Sequence, residues 1–280
     1  MGALADRIAR ASALKGVRPS LAAAKALPEV EILSGDHRAT RFAPHWHEEW
    51  ALAAIEAGAC HFTCAGVPCL ARPGDLVLLP ALAVHTAGVD PAGLRMTMAY
   101  LPPPLVAELL SLPPGRAPVV DRYVLRAPAL ARRLSAVAAS GDIAHLRAAA
   151  RVALQRFHGT CGSRVTPVAR PEDRDPRIAV LCRALRAPGR PDLAGLAAQM
   201  GLSRGYFQRL FRRTVGLTPA DYGRLARLAE AKERLTAGDP PADVAAAAGF
   251  ADQAHLTRWM RAVYGVTPGR LVPAGRPDKL

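Results

Sequence analysis

No export or anchoring signal is expected near the start of the chain. Its first apolar residues, Leu4, Ile8, Leu14 and Leu21, are interrupted by Asp6, Arg7, Arg10, Lys15 and Arg18, so no run there is long enough to span a bilayer. Residues 1–27 read as a basic N-terminal extension, with a basic amphipathic helix lying on a membrane as the alternative. Cysteine is scarce and odd in number: five, at positions 60, 64, 69, 161 and 182. With no secretory segment, that count argues against a disulfide scaffold and for a reducing, cytoplasmic compartment. Lysine is nearly missing, supplying four of 37 basic residues, a bias that reads as GC-rich coding more than selection at every site. Acids fall short too, 23 against those 37 bases, for a formal charge of +14 and a pI near 10.5. Such an excess invites a polyanionic partner. It is not localised: from Asp173 onward there are 18 basic and 10 acidic residues, and before it 19 and 13. No complete acid, base or metal constellation stands out, which weighs against an enzyme.

What is present is an internal repeat. LAAQMGLSRGYFQRLFRRTVGLTP, from Leu196 to Pro219, returns as VAAAAGFADQAHLTRWMRAVYGVTP, from Val244 to Pro268. Leu196, Ala197, Gly201 and Ser203 match Val244, Ala245, Gly249 and Ala251 at an offset of 48. Phe207, Arg209, Arg212, Gly216 and Pro219 match Leu256, Arg258, Arg261, Gly265 and Pro268 at 49, with Ala254 read as the inserted residue. Two copies of one helix-turn-helix unit would look like this. In the first copy Asp192 is placed to cap a helix from about Leu193 to Met200, and Gly201 ends it. Ser203 then caps a second helix, 204–214, with Phe207, Leu210 and Phe211 inward. Arg204, Gln208, Arg209, Arg212 and Arg213 lie outward with no acid among them. A helix of this kind, held by a short turn, suits a major groove, bonding to bases and phosphates; the bland alternative is an arginine-rich solvated face. The second copy, entered through Pro241, offers helix 252–264 with Gln253, His255, Thr257, Arg258 and Arg261 outward. Between the copies, Asp221 to Ala237 reads as one amphipathic helix, a stiff spacer that could set the two reading helices in successive major grooves, about 34 Å apart.

On these residues the last hundred positions resemble the AraC/XylS family of bacterial transcription regulators. The resemblance rests on the repeat, its spacing and the GLSRGYFQRLFRRTVGLTP and GFADQAHLTRWMRAVYGVTPGRL signatures. It implies promoter DNA as partner and usually activation through RNA polymerase. Base-reading side chains would fall at Gly205, Gln208 and Arg209 in the first unit and at Gln253, Ala254, His255, Thr257 and Arg258 in the second. Gly205 and Ala254 stand where the family often has longer side chains, and Met260 and Ala251 replace its usual Phe and Ser.

Residues 28–101 have a different texture. Short apolar runs, Trp50–Ile55, Ala59–Cys64, Leu76–Leu79, Val84–Ala87 and Leu94–Ala99, alternate with turn signals at Gly58, Ala65–Pro68, Arg72–Asp75 and Asp90–Gly93. That spacing predicts a small antiparallel barrel. His45, Trp46 and His47, followed by Pro73–Asp75, Pro80 and His85, look like the two motifs of a cupin barrel. His45 and His47 share a strand face by period two, so both could point inward with His85 opposite. Three imidazoles are a legitimate transition-metal set. Metal-dependent cupin enzymes, however, place a glutamate where Ala51 and Leu52 stand, while Glu48 and Glu49 come too early. His45, Trp46, His47 and His85 are therefore read first as lining an effector pocket, with the three histidines as metal candidates second and no cofactor assigned. Cys60, Phe62 and Cys64 alternate onto one face, read as buried apolar groups with soft-metal or thiol-reactive sensing as the alternative, and Cys182 is read as core.

Two further helices follow a proline-broken stretch: Pro128 opens Ala129–Ala139, and Asp142 caps Ile143–His158. The resulting reading is an α+β multidomain regulator. It has a basic extension (1–27), a cupin-like effector-sensing barrel (28–101), a helical linker and dimerisation segment (102–159), an interdomain linker (160–172), and an all-α domain with two helix-turn-helix units (173–275). The partners expected are double-stranded promoter DNA, RNA polymerase, a small-molecule effector and a second protomer, with no membrane and no enzymatic activity. The alternatives are a cupin-type metal-dependent enzyme fused to a DNA-binding tail, and a ligand-free architectural regulator whose barrel only mediates dimerisation.

Overall fold

The structure, a computed structural model, describes residues 23–27, 30–37, 41–167, 175–187 and 192–272. The chain divides into two compact units, one within Ala13–Val168 and one within Ala169–Leu280.

The first unit is built on an eight-stranded antiparallel sheet. Its strands are β1 (Ala23–Leu27), β2 (Val30–His37), β3 (Arg41–His45), β4 (Trp50–Cys64), β5 (Val67–Ala71), β6 (Asp75–Leu79), β7 (His85–Leu101) and, after helix α1 (Pro103–Leu109) and the short β8 (Arg116–Pro118), β9 (Val124–Arg126). The path runs β1-β2-β7-β4-β6-β9, with β3 added on β7 and β5 on β4. Two long central strands replace four expected short ones. β4 runs unbroken through Gly58, and β7 runs unbroken through the predicted turn at Asp90–Gly93. The glycines mark a bulge. Gly58 aligns with Leu94 and Cys60 with Val89, so Ala59 alone opposes the four residues 90–93. Gly58 sits at φ +75, and a Cβ there would lie 1.9 Å from the Gly93 carbonyl oxygen. A glycine in a strand can thus read as a break when it is where two backbones close on each other.

Each long strand changes partner along its length. The Leu94–Tyr100 end of β7 pairs with β2 and its His85–Gly88 end with β3, while Ala51–Ala54 of β4 pair with β6 and Cys60–Cys64 with β5. Helices α2 (Pro128–Ser140) and α3 (Ile143–Thr160) complete the unit. α2 packs on α3 and on β4, β6 and β7, which is why Trp50–Ile55 of β4 are buried on both faces and show no alternation. Asp142 caps α3 as predicted, accepting from the His145 N–H, and Leu146, Leu154 and Phe157 form its buried stripe. Three segments differ from expectation. Ala23–Leu27, assigned to the extension, form a strand paired with β2. The segment expected to be a helical linker supplies β9, which extends the sheet beside β6. Val165–Pro167, placed in the interdomain linker, form β10 on β8. The remaining positions of the basic extension, 1–22, and of that linker, 168–172, lie outside the described residues.

The second unit is helical: α4 (Pro176–Arg186), α5 (Leu193–Gln199), α6 (Arg204–Val215), α7 (Pro219–Thr236), α8 (Pro241–Ala247), α9 (Gln253–Tyr264) and a closing 3-10 turn, Pro268–Arg270. Short polar side chains start all the α-helices but one. Asp175, Asp192, Ser203, Thr218 and Asp252 each accept a backbone N–H of the first turn, whereas α8 begins on Pro240 and Pro241 without a side-chain cap. α7 is the shared spine. It buries Tyr222, Leu225, Leu228 and Leu235 and packs on α4, α6, α8 and α9. Phe211 of α6 meets Tyr222 edge-on with ring centroids 5.6 Å apart. The caps also correct the repeat alignment. Ser203 caps α6 and Asp252 caps α9, an offset of 49, while Gly201 and Gly249 keep 48. The extra residue is therefore Ala251, inside the turn, and Ala254 is the counterpart of Gly205 rather than an insertion.

Candidate functional site

Helices α6 and α9 present the outward faces that the sequence predicts. Arg204, Gly205, Gln208, Arg209, Arg212 and Arg213 are all exposed. None of these arginines makes an ion pair among the described residues, whereas Arg224 and Arg234 on α7 are paired with Asp221 and Asp239. Unpaired guanidiniums along one helix face form a donor surface for phosphate oxygens and the acceptors of base edges. A Cβ on Gly205 would lie 3.4 Å from Arg209 Nη1, so the bare backbone there leaves room for the Arg209 fork. Tyr206, which sequence reasoning passed over, stands 41% exposed at the start of the same helix. Its signal was its position one residue before the buried Phe207.

On α9, Gln253, Ala254, Arg258 and Arg261 are exposed. Thr257 is half-buried, and its hydroxyl donates to the Gln253 carbonyl at 2.8 Å. His255 is placed differently. It is half-buried, its ring lies edge-on to Phe250 with centroids 5.5 Å apart, and Trp259 Nε1–H donates to its Nε2 at 2.9 Å. The Ala251 N–H points at its Nδ1 at 3.3 Å. Burial first, then Arg258, lowers the His255 pKa, with Asp252 opposing and Arg224 and Arg227 adding to the drop, so the ring is held neutral.

In the sheet unit three of the four sequence-selected residues, His45, His47 and His85, converge. His45, Trp46, His47 and His85 are each about 5% exposed or little more. His45 ends β3 directly opposite His85, the first residue of β7, and their ring centroids are 4.2 Å apart. His47 lies just past the end of β3, not on it. The loop, rather than strand period, turns it inward beside His85 at 4.8 Å. The same loop buries Trp46, which strict alternation would have turned outward. Each imidazole donates its Nδ1–H to a carbonyl oxygen two residues away: His45 to Ala43 at 2.7 Å, His47 to Glu49 at 2.6 Å and His85 to Ala83 at 2.8 Å. Because a carbonyl can only accept, Nδ1 carries the proton in all three rings, and in the neutral form the one ring lone pair lies on Nε2. Burial holds His85 down at about 4, and burial together with neighbouring His85 holds His45 well below its usual value.

The structure adds two members that spacing did not reveal. Tyr100, near the far end of β7, meets His47 edge-on at 5.2 Å, and the buried His37 meets Phe42, which in turn lies beside His45. Both arrive through strand pairing rather than sequence proximity. Among the described residues no group of three His, Cys, Asp or Glu side chains is arranged to hold a metal ion. Cys60, Cys64 and Cys182 are buried, and burial pushes the Cys64 thiol up to about 12, far from a reactive thiolate. No helix among the described residues is long and apolar enough to cross a membrane.

Comparison with known proteins assigns the two units separately. The family model for an AraC-like ligand binding domain matches residues 27–156, and that for a helix-turn-helix domain matches residues 196–272. An uncharacterized HTH-type transcriptional regulator of Bacillus subtilis (strain 168), YbfI, is 25% identical over 233 residues, covering 77% of this chain and 82% of that one. Among solved structures, an apo ToxT variant from Vibrio cholerae strain SCE256 aligns over 87% of this chain and 97% of that one, with a TM-score of 0.57 at 12% identity. Unsaturated fatty acid bound wild-type ToxT from the same strain aligns over 91% and 99%, with a TM-score of 0.54 at 11% identity. At these identities the ToxT likeness is one of fold.

Proposed function

The chain belongs to the AraC/XylS family of transcription regulators, and from that premise we propose that it reads two successive major grooves of promoter DNA under control of a ligand held by its imidazole cluster. A ligand-binding domain joined to a helix-turn-helix domain makes it an effector-responsive DNA-binding regulator. The observation that carries the finer reading is the set of six arginines, Arg204, Arg209, Arg212, Arg213, Arg258 and Arg261, exposed on two capped helices without an acidic partner among the described residues. Gln208 and Arg209 reach base edges in the first groove, and Gln253, Thr257 and Arg258 in the second. Arg204, Arg212, Arg213 and Arg261 bind phosphates, and Gly205 and Ala254 allow the backbone to approach.

In the sensing unit, His45, Trp46, His47 and His85 hold the effector. With Nδ1–H committed to backbone carbonyls and their pKa lowered by burial, His45 and His85 offer Nε2 as an acceptor, which suits a ligand that brings hydrogen-bond donors. A second protomer and RNA polymerase complete the reading: paired protomers multiply affinity through effective concentration, and the family usually activates transcription. We read the chain as regulatory rather than enzymatic. The test is duplex selection by the purified chain, followed by binding in the presence and absence of metabolites. His47→Ala is expected to abolish the ligand response and leave operator affinity unchanged. Loss of operator affinity along with the ligand response would mark His47 as structural instead.

A further inference from the structure

The second reading helix differs from the first at one position in a way that bears on how the protein reads DNA. On the corrected alignment His255 occupies the place of Tyr206. Tyr206 is exposed, whereas His255 is folded against its own unit. The bonds around it form a continuous chain. Thr218, the cap of α7, donates its hydroxyl to Asp221 Oδ2 at 2.7 Å, and Arg224 donates Nη1–H to Asp221 Oδ1 at 2.9 Å. The Arg224 guanidinium carbon lies 4.4 Å above the centre of the Trp259 ring, within cation–π range. Trp259 then donates to His255, whose own N–H is held by the cap, Asp252, at 2.5 Å. The edge contact with Phe250 finishes the run inside the turn.

Each link joins a different part: the start of the spine helix, its body, the middle of α9, the start of α9 and the turn before it. A neutral imidazole has one ring lone pair, so His255 satisfies either Trp259 or the Ala251 N–H, and the Trp259 contact is the shorter. With Nε2 committed to the indole and the ring in a T-shaped contact with Phe250, the side chain has little left to offer a base. Among the described residues the first unit shows no equivalent chain: Tyr206 stands 41% exposed, and α6 rests on α7 through Phe211 and Tyr222.

We propose that His255 is a positioning residue and not a base reader: with Trp259 and Arg224 it fixes the angle of α9 on α7, and so the register of the second major-groove contact relative to the first. The inference rests on the two-groove reading above. Base discrimination in the second half-site then falls to Gln253, Thr257 and Arg258.

The test uses the full chain and a duplex selected by it, with competition against every single-base variant of that duplex. His255→Gln keeps an acceptor for Trp259; it is expected to bind within about threefold of wild type with the same base preference at every position. His255→Leu and Trp259→Phe keep apolar bulk and remove the bond. Each is expected to weaken binding about tenfold, through the second half-site alone, with first half-site protection retained and base preference unchanged. The double variant should lose no more than either single one, since both remove the same contact. First half-site protection also reports that the variants are folded. A changed preference at one base pair in His255→Gln, wild-type affinity in His255→Leu, or additive losses in the double variant would each overturn the positioning role. If the wild-type chain selects no duplex at all, the DNA reading itself fails, an outcome distinct from any of these.

Discussion

The two units of this chain place their chemistry on opposite sides of their surfaces. The helical unit displays it: six guanidiniums project from two capped helices, and the apolar side chains behind them only hold the angle. The sheet unit hides it: His45, His47 and His85 are buried and tied to backbone carbonyls. A polyanion is large and must be met at the surface, where cations stay hydrated until contact. A small effector can be enclosed, and burial is what gives a few polar contacts their discrimination. The contrast predicts that substitutions in the sheet unit report on folding and ligand response, and substitutions on α6 and α9 report on DNA alone.

The largest expected effect lies in the bulge of the sheet. Gly58→Ala meets both a left-handed backbone and the Gly93 carbonyl oxygen. It should destabilise the sheet unit by about 3–5 kcal/mol in denaturant melts. An unaltered melt would mean the bulge can relax. Next comes pH. The folded pKa of His85, about 4, lies below its ordinary 6.5, so the unfolded chain binds more protons between those values. The stability of the sheet unit should be full above about pH 6.5 and fall towards pH 4, by about 3 kcal/mol for this ring. His85→Asn should flatten that slope while the melt of the helical unit keeps its own profile.

On the DNA side, Arg209→Ala is expected to weaken operator binding by about 1–3 kcal/mol and relax preference at one base pair. Unchanged affinity in a titration would move the reading face elsewhere. Asp192→Ala removes the cap that accepts the Ala194 N–H and should cost the helical unit about 1 kcal/mol in stability. Smallest is Arg213→Ala, expected to lower affinity evenly across sequences and reduce the salt slope by about one.

The same contrast explains what could be read from the sequence. Helical chemistry repeats every few residues along one segment, so Asp192 and Ser203 announced helix starts and the arginine face of α6 followed from period alone, whereas α7, expected from Asp221, starts two residues earlier behind the Thr218 cap. Even there the alignment of the two copies slipped by a turn residue. Ala251 has no strong conformational signature, and only the Asp252 cap locates it. The sheet site is assembled by pairing between distant segments. His45 and His85 were legible as motif residues, and their pairing brings the rings together. Tyr100 and His37 were not legible, because their place depends on which strands flank β7. Gly58 misled for a related reason: a lone glycine signals a turn locally, while its need for the space beside Gly93 exists only once β4 and β7 lie together. His255 looked like a base reader by position, and its bond to Trp259 becomes visible only with the helix built.

Hydroxyl-radical footprinting of the full chain on a selected duplex tests the central claim most directly. Two protected patches on one face, about 34 Å apart, are expected, with Arg209→Ala weakening one patch and Arg258→Ala the other. A single patch no longer than one turn, or two patches that fade together in both variants, would contradict it.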